Sequence, residues 1–266
     1  WHTMHVSCID SPRVADDFVE DMRKRYGEDS PAYHVRVLGN FPPSEEDTVI
    51  PVSLIEHAFN NVVKVHDDTP AVWGLDVARQ GGDSSVLCKR QGPLIHPLTV
   101  WRNLDLMQLS GAVKAEYDNM PMSRKPAEII IDSNGFGAGV LDRLRELGLP
   151  ARGLNVSERA VAKQTYLNLR AELWFKCKAW LEGMDVSLPK DDALYSELAG
   201  PRYMFTSSGK IQVESKESMK KRGIRSPDRA DALCLALAND HTTMAFGSAA
   251  TGAWNKPLRR GIRGVV

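Results

Sequence analysis

The chain has 266 residues, 42% hydrophobic and 26% charged, a balance that excludes a disordered, collagen-like or low-complexity protein. The length suffices for one substantial domain with an appendage. Lys plus Arg and Asp plus Glu are equal at 34 each, so a globally basic nucleic-acid coat is excluded and any contact with DNA or RNA must be local.

Cys8, Cys88, Cys177 and Cys234 lie far apart with no CxxC pair and no His at zinc-finger spacing, the pattern of reduced, buried thiols in a cytosolic protein. No apolar run approaches the roughly 20 residues needed to cross a bilayer, and no signal segment opens the sequence, so no membrane partner is expected. The first residue is Trp1 rather than Met, as in a fragment or processed product.

Residues 1–70 read as an adaptor. Phe18, Val19, Met22 and Tyr26 at helical spacing predict a helix over Asp16–Tyr26, closed by Gly27. Tyr33–Leu38 alternates as a strand, and Gly39 to Asp47, with Pro42 and Pro43, reads as a linker. A short helix follows, with Ser53 as its N-cap and Leu54, Ile55, Ala58 and Phe59 along it.

From Ala71 the pattern is that of a mixed α/β domain reaching to about residue 240. Ala71–Val77, Ser84–Arg90 and Leu94–Trp101 are three consecutive antiparallel strands, separated by Gly81-Gly82-Asp83 and Gly92-Pro93. Asp83, after two glycines, reads as a turn residue rather than a ligand. A helix with Leu106, Leu109, Val113 and Tyr117 on one face precedes a very apolar strand, Ala127–Ile131. Next come a helix with Val140, Leu141, Leu144 and Leu147, a short strand over Ala151–Val156, and a long helix over Lys163–Leu181. Tyr166, Leu169, Leu173, Cys177 and Trp180 form its core stripe.

Tyr203–Thr206 and Lys210–Val213 flank Ser207-Ser208-Gly209 as a hairpin with Gly at its tip. The last helix starts with Ser226 as N-cap and Pro227 at its first position and runs from Asp228 to about Asn239. Residues 241–266 read as a tail.

Three carboxylates interrupt or end apolar elements, where an unpaired charge is costly. Asp76 lies in the first strand of the domain, where capping and turn roles do not apply. Asp132 ends the Glu128 to Ile131 run, at the strand edge where open α/β sheets bind ligands, although a strand-end Asp is ordinarily a turn former. Asp231 sits among Ala230, Ala232, Leu233 and Leu235, with Asp228 on the same face. Asp228 alone would merely complement the helix dipole. Carboxylates gathered at one sheet edge repel unless they share protons or divalent cations, and oxygen-only ligands select Mg²⁺ or Mn²⁺ over zinc. Two such ions are the apparatus of two-metal phosphodiester hydrolysis.

The order of strands and helices, with acids on the first strand, the later apolar strand and the last helix, resembles the ribonuclease H-like fold. That fold is a mixed α/β sheet with three antiparallel strands followed by parallel strands and helices on both faces. More narrowly, Gly74-Leu75-Asp76-Val77-Ala78 with Gly81-Gly82-Asp83, then Ile131-Asp132-Ser133-Asn134-Gly135-Phe136-Gly137-Ala138-Gly139, then Ser226-Pro227-Asp228-Arg229-Ala230-Asp231-Ala232, resemble the C-terminal nuclease domain of phage large terminase subunits. The likeness runs from Ala71 to Asn239, and Tyr26 to Ser30 with Val35 to Gly39 resemble the end of the terminase ATPase domain and its linker.

This resemblance implies that Asp76, Asp132 and Asp231 are catalytic metal ligands, with Asp228 a fourth or auxiliary one, holding two Mg²⁺ or Mn²⁺ ions. It implies a nuclease cutting double-stranded DNA during genome packaging to leave a 5′ phosphate. Its partners would be the ATPase domain of the same protein, the small terminase subunit and the portal, in the cytoplasm of the infected host beside the procapsid. No GxxxxGK[ST] loop occurs in the sequence, so ATP hydrolysis is not expected of it.

DNA contact is expected at Arg202, Lys210, Lys216, Lys220, Lys221, Arg222 and Arg225, seven cations opposed over that interval only by Glu214 and Glu217. Alone, such a run is a solvated surface; beside the acids it suits phosphate positioning without base reading. Other readings stay open. The glycines at 135, 137 and 139 fail a dinucleotide fingerprint because its third glycine would fall on Val140. An actin-like or sugar-kinase-like phosphotransferase would need two such domains. A resolvase- or transposase-like nuclease shares the fold and acids, and a docking module of the packaging motor would use the acids structurally.

Overall fold

The computed structural model describes residues 5–26, 28, 33–34, 37–40, 48–78 and 83–238. Most of the expected linker, the Gly81-Gly82 pair and the sequence from Asn239 onward lie outside the described residues.

At its centre is a sheet ordered β3-β2-β1-β5-β6, with β4 also on β2. Its strands are β1 (Ala71–Asp76), β2 (Ser85–Gln91), β3 (Leu94–Ile95), β4 (Thr99–Trp101), β5 (Pro126–Asp132) and β6 (Ala151–Leu154). β1 is antiparallel to β2 and parallel to β5, and β5 is parallel to β6. Where the sequence predicts one third strand over Leu94–Trp101, there are two short ones. β3 pairs with Arg90 and Gln91, β4 with Ser85 to Leu87, and Pro97, which has no N–H to donate to a ladder, lies between them.

Side-chain alternation divides the sheet into two faces. Trp73, Leu75, Leu87, Ile129 and Ile131 share one buried core with Leu109 and Val113 of α3 (Leu106–Asp118) and Val140 and Leu144 of α4 (Phe136–Glu146). Asp105 starts α3 with a reciprocal capping box to Gln108. Val72, Val86, Cys88 and Ile130 point the other way, into a second core with Trp174 and Cys177 of α5 (Leu169–Glu182), Leu194 and Leu198 of α6 (Asp192–Ala199) and most of α8 (Asp228–Ala236). Ile55 and Ala58 of α2 (Val52–Asn60), Met22 of α1 (Asp16–Tyr26) and Val49 belong to this second core. The hairpin β7 (Tyr203–Phe205) and β8 (Ile211–Val213) turns at Gly209, φ +77°, as expected, and the short helix α7 (Lys216–Lys221) follows it.

Several boundaries differ from the sequence reading. Tyr33 and His34 are helical rather than extended, and the Tyr33 carbonyl accepts N–H bonds from both Val37 and Leu38. Pro51, not Ser53, precedes the first turn of α2. The long helix starts at Leu169, not Lys163, because the Asn168 side chain accepts the Ala171 N–H and caps it; Tyr166 instead bridges to Ile211. Pro227 occupies the cap of α8 with no side-chain cap bond, so Ser226 does not act as N-cap, and the helix ends at Ala236. The helices α6 and α7 were not anticipated, although Asp191 and Ser215 cap them with side-chain oxygens.

The contact that places α8 is unusually close. A Cβ on Gly74 would stand 2.2 Å from the Ala232 carbonyl oxygen and 2.4 Å from the Ala236 nitrogen, both backbone atoms that cannot swing aside. Arg90 on β2 reinforces the contact by donating to the Ala236 carbonyl at 2.8 Å. Gly74→Ala should therefore cost about 3 kcal/mol of stability by forcing helix and strand apart, read as a lower urea midpoint. A midpoint matching the unsubstituted chain would show that the helix accommodates the methyl group.

Candidate metal centre

Asp76 and Asp132 reach the same place because of register. β1 and β5 pair Leu75 with Ile131, so Asp76 and Asp132 are the next residues on adjacent parallel strands, on the face that α8 covers. Asp76 is the last residue of β1 rather than a mid-strand residue, and it is nonetheless buried. Asp132 accepts the Asn134 N–H at 3.2 Å, a turn bond that fixes its carboxylate where β5 gives way to α4. The glycine-rich turn permits this, since a Cβ on Gly137 would lie 1.7 Å from the Asp132 carbonyl oxygen.

Asp231 enters from the first turn of α8 and is held from three sides. Trp174 Nε1 donates to its Oδ1 at 3.0 Å, Lys216 Nζ lies 3.0 Å from its Oδ2, and Arg170 Nε is 3.7 Å from Oδ1. Asp76, Asp132, Asp231, Lys216, Arg170 and Trp174 line one small cavity of about 50 Å³. Asp228 is beside it and differently employed: one of its oxygens accepts the Ser84 N–H at 2.9 Å, tying the start of β2 to the start of α8.

The electrostatics follow from this geometry. Burial, with help from the carboxylates of Asp231, Asp228 and Asp132, pushes Asp76 up to about 8 against the pull of Lys216. Burial also raises Asp132 and Asp228. Asp231 is largely shielded as well, yet Arg170, Lys216 and the Trp174 hydrogen bond outweigh desolvation and hold it below the usual carboxylate range. Burial works against the charged form of Lys216, but Asp231 and Asp76 more than compensate and raise it. The cluster thus keeps Asp231 ionised and a proton on Asp76.

The donors are all carboxylate oxygens on three different elements, the chemistry that suits a hard divalent cation. Among the described residues, no three acid, His or Cys side chains stand in a metal-binding group, and the ammonium of Lys216 balances the carboxylates.

Lys216 was expected to contact DNA, and the structure turns it into the carboxylate cavity. The rest of that basic set divides. Arg222 is engaged by Glu214 and donates to the Gly200 carbonyl, whereas Arg202, Lys220, Lys221 and Arg225 are exposed and Lys210 is half-buried on the hairpin. Arg170 and Trp174 went unrecognised in the sequence. Their signal is a basic residue and an indole four apart, hence on one helical face, a spacing that Lys176 and Trp180 repeat in the same helix.

The mixed sheet, antiparallel strands followed by parallel ones with helices on both faces, is that of the ribonuclease H-like fold. Within it, the chain has the fold of the nuclease domains of phage large terminase subunits. The nuclease domain of the large terminase subunit gp2 of bacterial virus Sf6 superposes with a TM-score of 0.61 at 19% identity, covering 72% of this chain and 99% of that one. A variant of that domain with manganese and beta-thujaplicinol gives the same TM-score at 18% identity, with the same coverage. The large terminase nuclease of thermophilic phage G20c with bound magnesium gives 0.56 at 18% identity, over 74% of this chain and 99% of that one. In sequence, the chain is 26% identical over 243 residues to the probable large terminase subunit of Enterobacteria phage P7. That match covers 86% of this chain and 49% of the relative, so the chain spans about half the length of the curated protein it matches. No protein-family model matches the chain.

Asp76 makes stability depend on pH. As pH rises from about 4 towards 8, the unfolded chain releases the Asp76 proton while the folded chain retains it, so this group lowers stability across that window and adds no further slope above it. Asp76→Asn removes this contribution and leaves that of Glu197, which burial also pushes up to about 8. In metal-free buffer at pH 9 the variant should melt above the unsubstituted chain, by about 2–4 °C per kcal/mol relieved. A change in melting temperature from pH 5 to pH 9 that is the same in both proteins would show that Asp76 bears no such strain.

Proposed function

We propose that the chain is a metal-dependent DNA endonuclease, the nuclease portion of a phage large terminase subunit, cutting double-stranded DNA during genome packaging. The observation that carries this reading is the convergence of Asp76, Asp132 and Asp231, from two adjacent strands and the crossing helix, on one cavity. Burial, with the neighbouring carboxylates, holds a proton on Asp76, a state that divalent charge in the cavity would relieve.

In this reading Asp76, Asp132 and Asp231 hold two Mg²⁺ or Mn²⁺ ions, with Asp228 auxiliary because one of its oxygens serves Ser84. When bound, such ions polarise the scissile phosphate, activate a water and neutralise the departing oxygen. The chain's own part is to place these carboxylates rigidly. Trp174 fixes the orientation of Asp231, and Asn134 fixes that of Asp132. Arg170 and Lys216 bring positive charge to the same cavity, where it can face a phosphodiester; Lys216 also draws on the carboxylate charge that the cations need. The exposed cations Arg202, Lys220, Lys221 and Arg225 suit sequence-independent phosphate contacts.

By the same reading residues 1–70 are the end of the ATPase domain and its linker, residues 71–240 the nuclease domain, and residues 241–266 a tail. The protein then acts in the host cytoplasm beside the procapsid, with the ATPase domain, small terminase subunit and portal as partners.

Supercoiled plasmid should be nicked and linearised in Mn²⁺ or Mg²⁺ and left intact in EDTA. Asp76→Asn and Asp132→Asn should each lower the rate at least about 100-fold while far-UV circular dichroism is unchanged. Undiminished cleavage by both folded variants would reject the assigned site. Preference for a four-way junction over linear duplex would favour a resolvase-like enzyme, and no cleavage by the unsubstituted chain would favour a docking role.

A further inference from the structure

Beyond the carboxylate cavity the structure holds a second, larger one of about 410 Å³, formed where the segment after β6 meets the hairpin. Its lining is Arg159, Ala160, Lys163, Tyr166, Leu167 and Lys210: three cations, an aromatic ring and no acid. Among the described residues none of the three cations forms an ion pair. The acid beneath them, Glu172, is committed to backbone, with its Oε2 accepting the N–H groups of Val161 at 2.6 Å and Ala162 at 3.3 Å.

The walls are held in place. The Leu167 N–H donates to the Ile211 carbonyl at 2.9 Å and the Ile211 N–H to the Thr165 carbonyl at 2.8 Å, so the segment runs along β8 as an extra strand-like edge. Glu172, which pins the segment from α5, lies between Arg170 and Trp174, two of the residues that contact Asp231. At its start, Val156 lines the carboxylate cavity, and Ser157 accepts a hydrogen bond from Asn134, two residues beyond Asp132. The basic cavity is thus tied to the carboxylate cavity through short connections on both sides.

Its surroundings are apolar as well as basic. Val161, Met204 and Phe205 are 80%, 55% and 65% exposed, and a chain of ring contacts runs from Tyr166 through Phe175 and Tyr203 to Phe205. Unpaired cations beside exposed apolar groups match a ligand that is anionic along one edge and apolar along the other, as a nucleic-acid strand is.

We propose that this cavity seats backbone phosphate of a nucleic-acid strand lying across the carboxylate centre, with Arg159, Lys163 and Lys210 as its contacts. The assignment rests on the nuclease reading and adds Arg159 and Lys163, which lie outside the basic run from Arg202 to Arg225, to the DNA footprint.

The test uses the full chain in EDTA, with a fluorescein-labelled duplex followed by anisotropy over a series of KCl concentrations. The double variant Arg159→Ala/Lys163→Ala should bind about ten-fold more weakly, and its log–log salt slope should fall by roughly 2, about 0.9 for each phosphate that is no longer neutralised. Arg159→Lys should bind as the unsubstituted chain does, and Arg145→Ala, at an exposed position on α4, should leave the slope unchanged. In Mn²⁺ the double variant should show a raised KM with kcat retained. An unchanged slope in a double variant whose parent binds DNA overturns the proposal and leaves the nuclease reading intact. Loss of inorganic phosphate binding with DNA affinity and slope preserved overturns it in favour of a free anion site. An unsubstituted chain that neither binds nor cuts DNA overturns the nuclease reading and the strand assignment with it.

Discussion

The absence of a side chain at Gly74 is the constraint on which the rest of the site depends. It lets the backbone of α8 come to within contact of β1, and that approach alone sets Asp231, on the first turn of the helix, over the end of the strand that carries Asp76. Any larger residue at 74 would lift the helix. The carboxylates would then separate, the Arg90 bond to the Ala236 carbonyl would break, and the second core would open. The small residues facing the strand, Ala232 and Ala236, serve the same close approach from the helix side.

What the approach creates is electrostatically unfavourable, and the chain offsets it locally. Arg170, Trp174 and Lys216 keep Asp231 charged, while desolvation and neighbouring negative charge hold the proton on Asp76. Elsewhere Lys89 is paired to Glu116 and stacked over Trp73, and Arg229 is held by Asp191 and Glu197, although burial still pushes the Glu197 carboxyl up to about 8.

Much of this was legible in the sequence. Apolar runs locate β1, expected over Ala71–Val77 with Asp76 inside it, and β5, expected over Ala127–Ile131 with Asp132 at its end; the close backbone approach at the glycine-rich turn beside Asp132 is visible only in the structure. Local patterns fail where tertiary pairing decides. The segment around Tyr166 has helical periodicity but is captured by β8, and Asn168 restarts the chain as a helix two residues later. Lys216 reads as one of seven surface cations because nothing in its neighbourhood shows that the short helix bearing it turns towards Asp231, fifteen residues on. Arg170 is hidden for the same reason: its partner is 61 residues away. The helices over Asp192–Ala199 and Lys216–Lys221 are only eight and six residues long, too short for periodicity to stand out from composition.

The division of the sheet into two faces means that the clustered aspartates obey an odd–even rule. Val72, Gly74 and Asp76 share one parity on β1, as do Ile130 and Asp132 on β5, while Trp73, Leu75, Ile129 and Ile131 take the other. Sliding either strand by a single residue would drive its aspartate into the oily side beneath α3 and α4 and turn bulky hydrophobes towards the acids. Folding correctly and assembling the carboxylate cluster are one event, so a misthreaded copy of this chain loses the cluster by the same error that unfolds it.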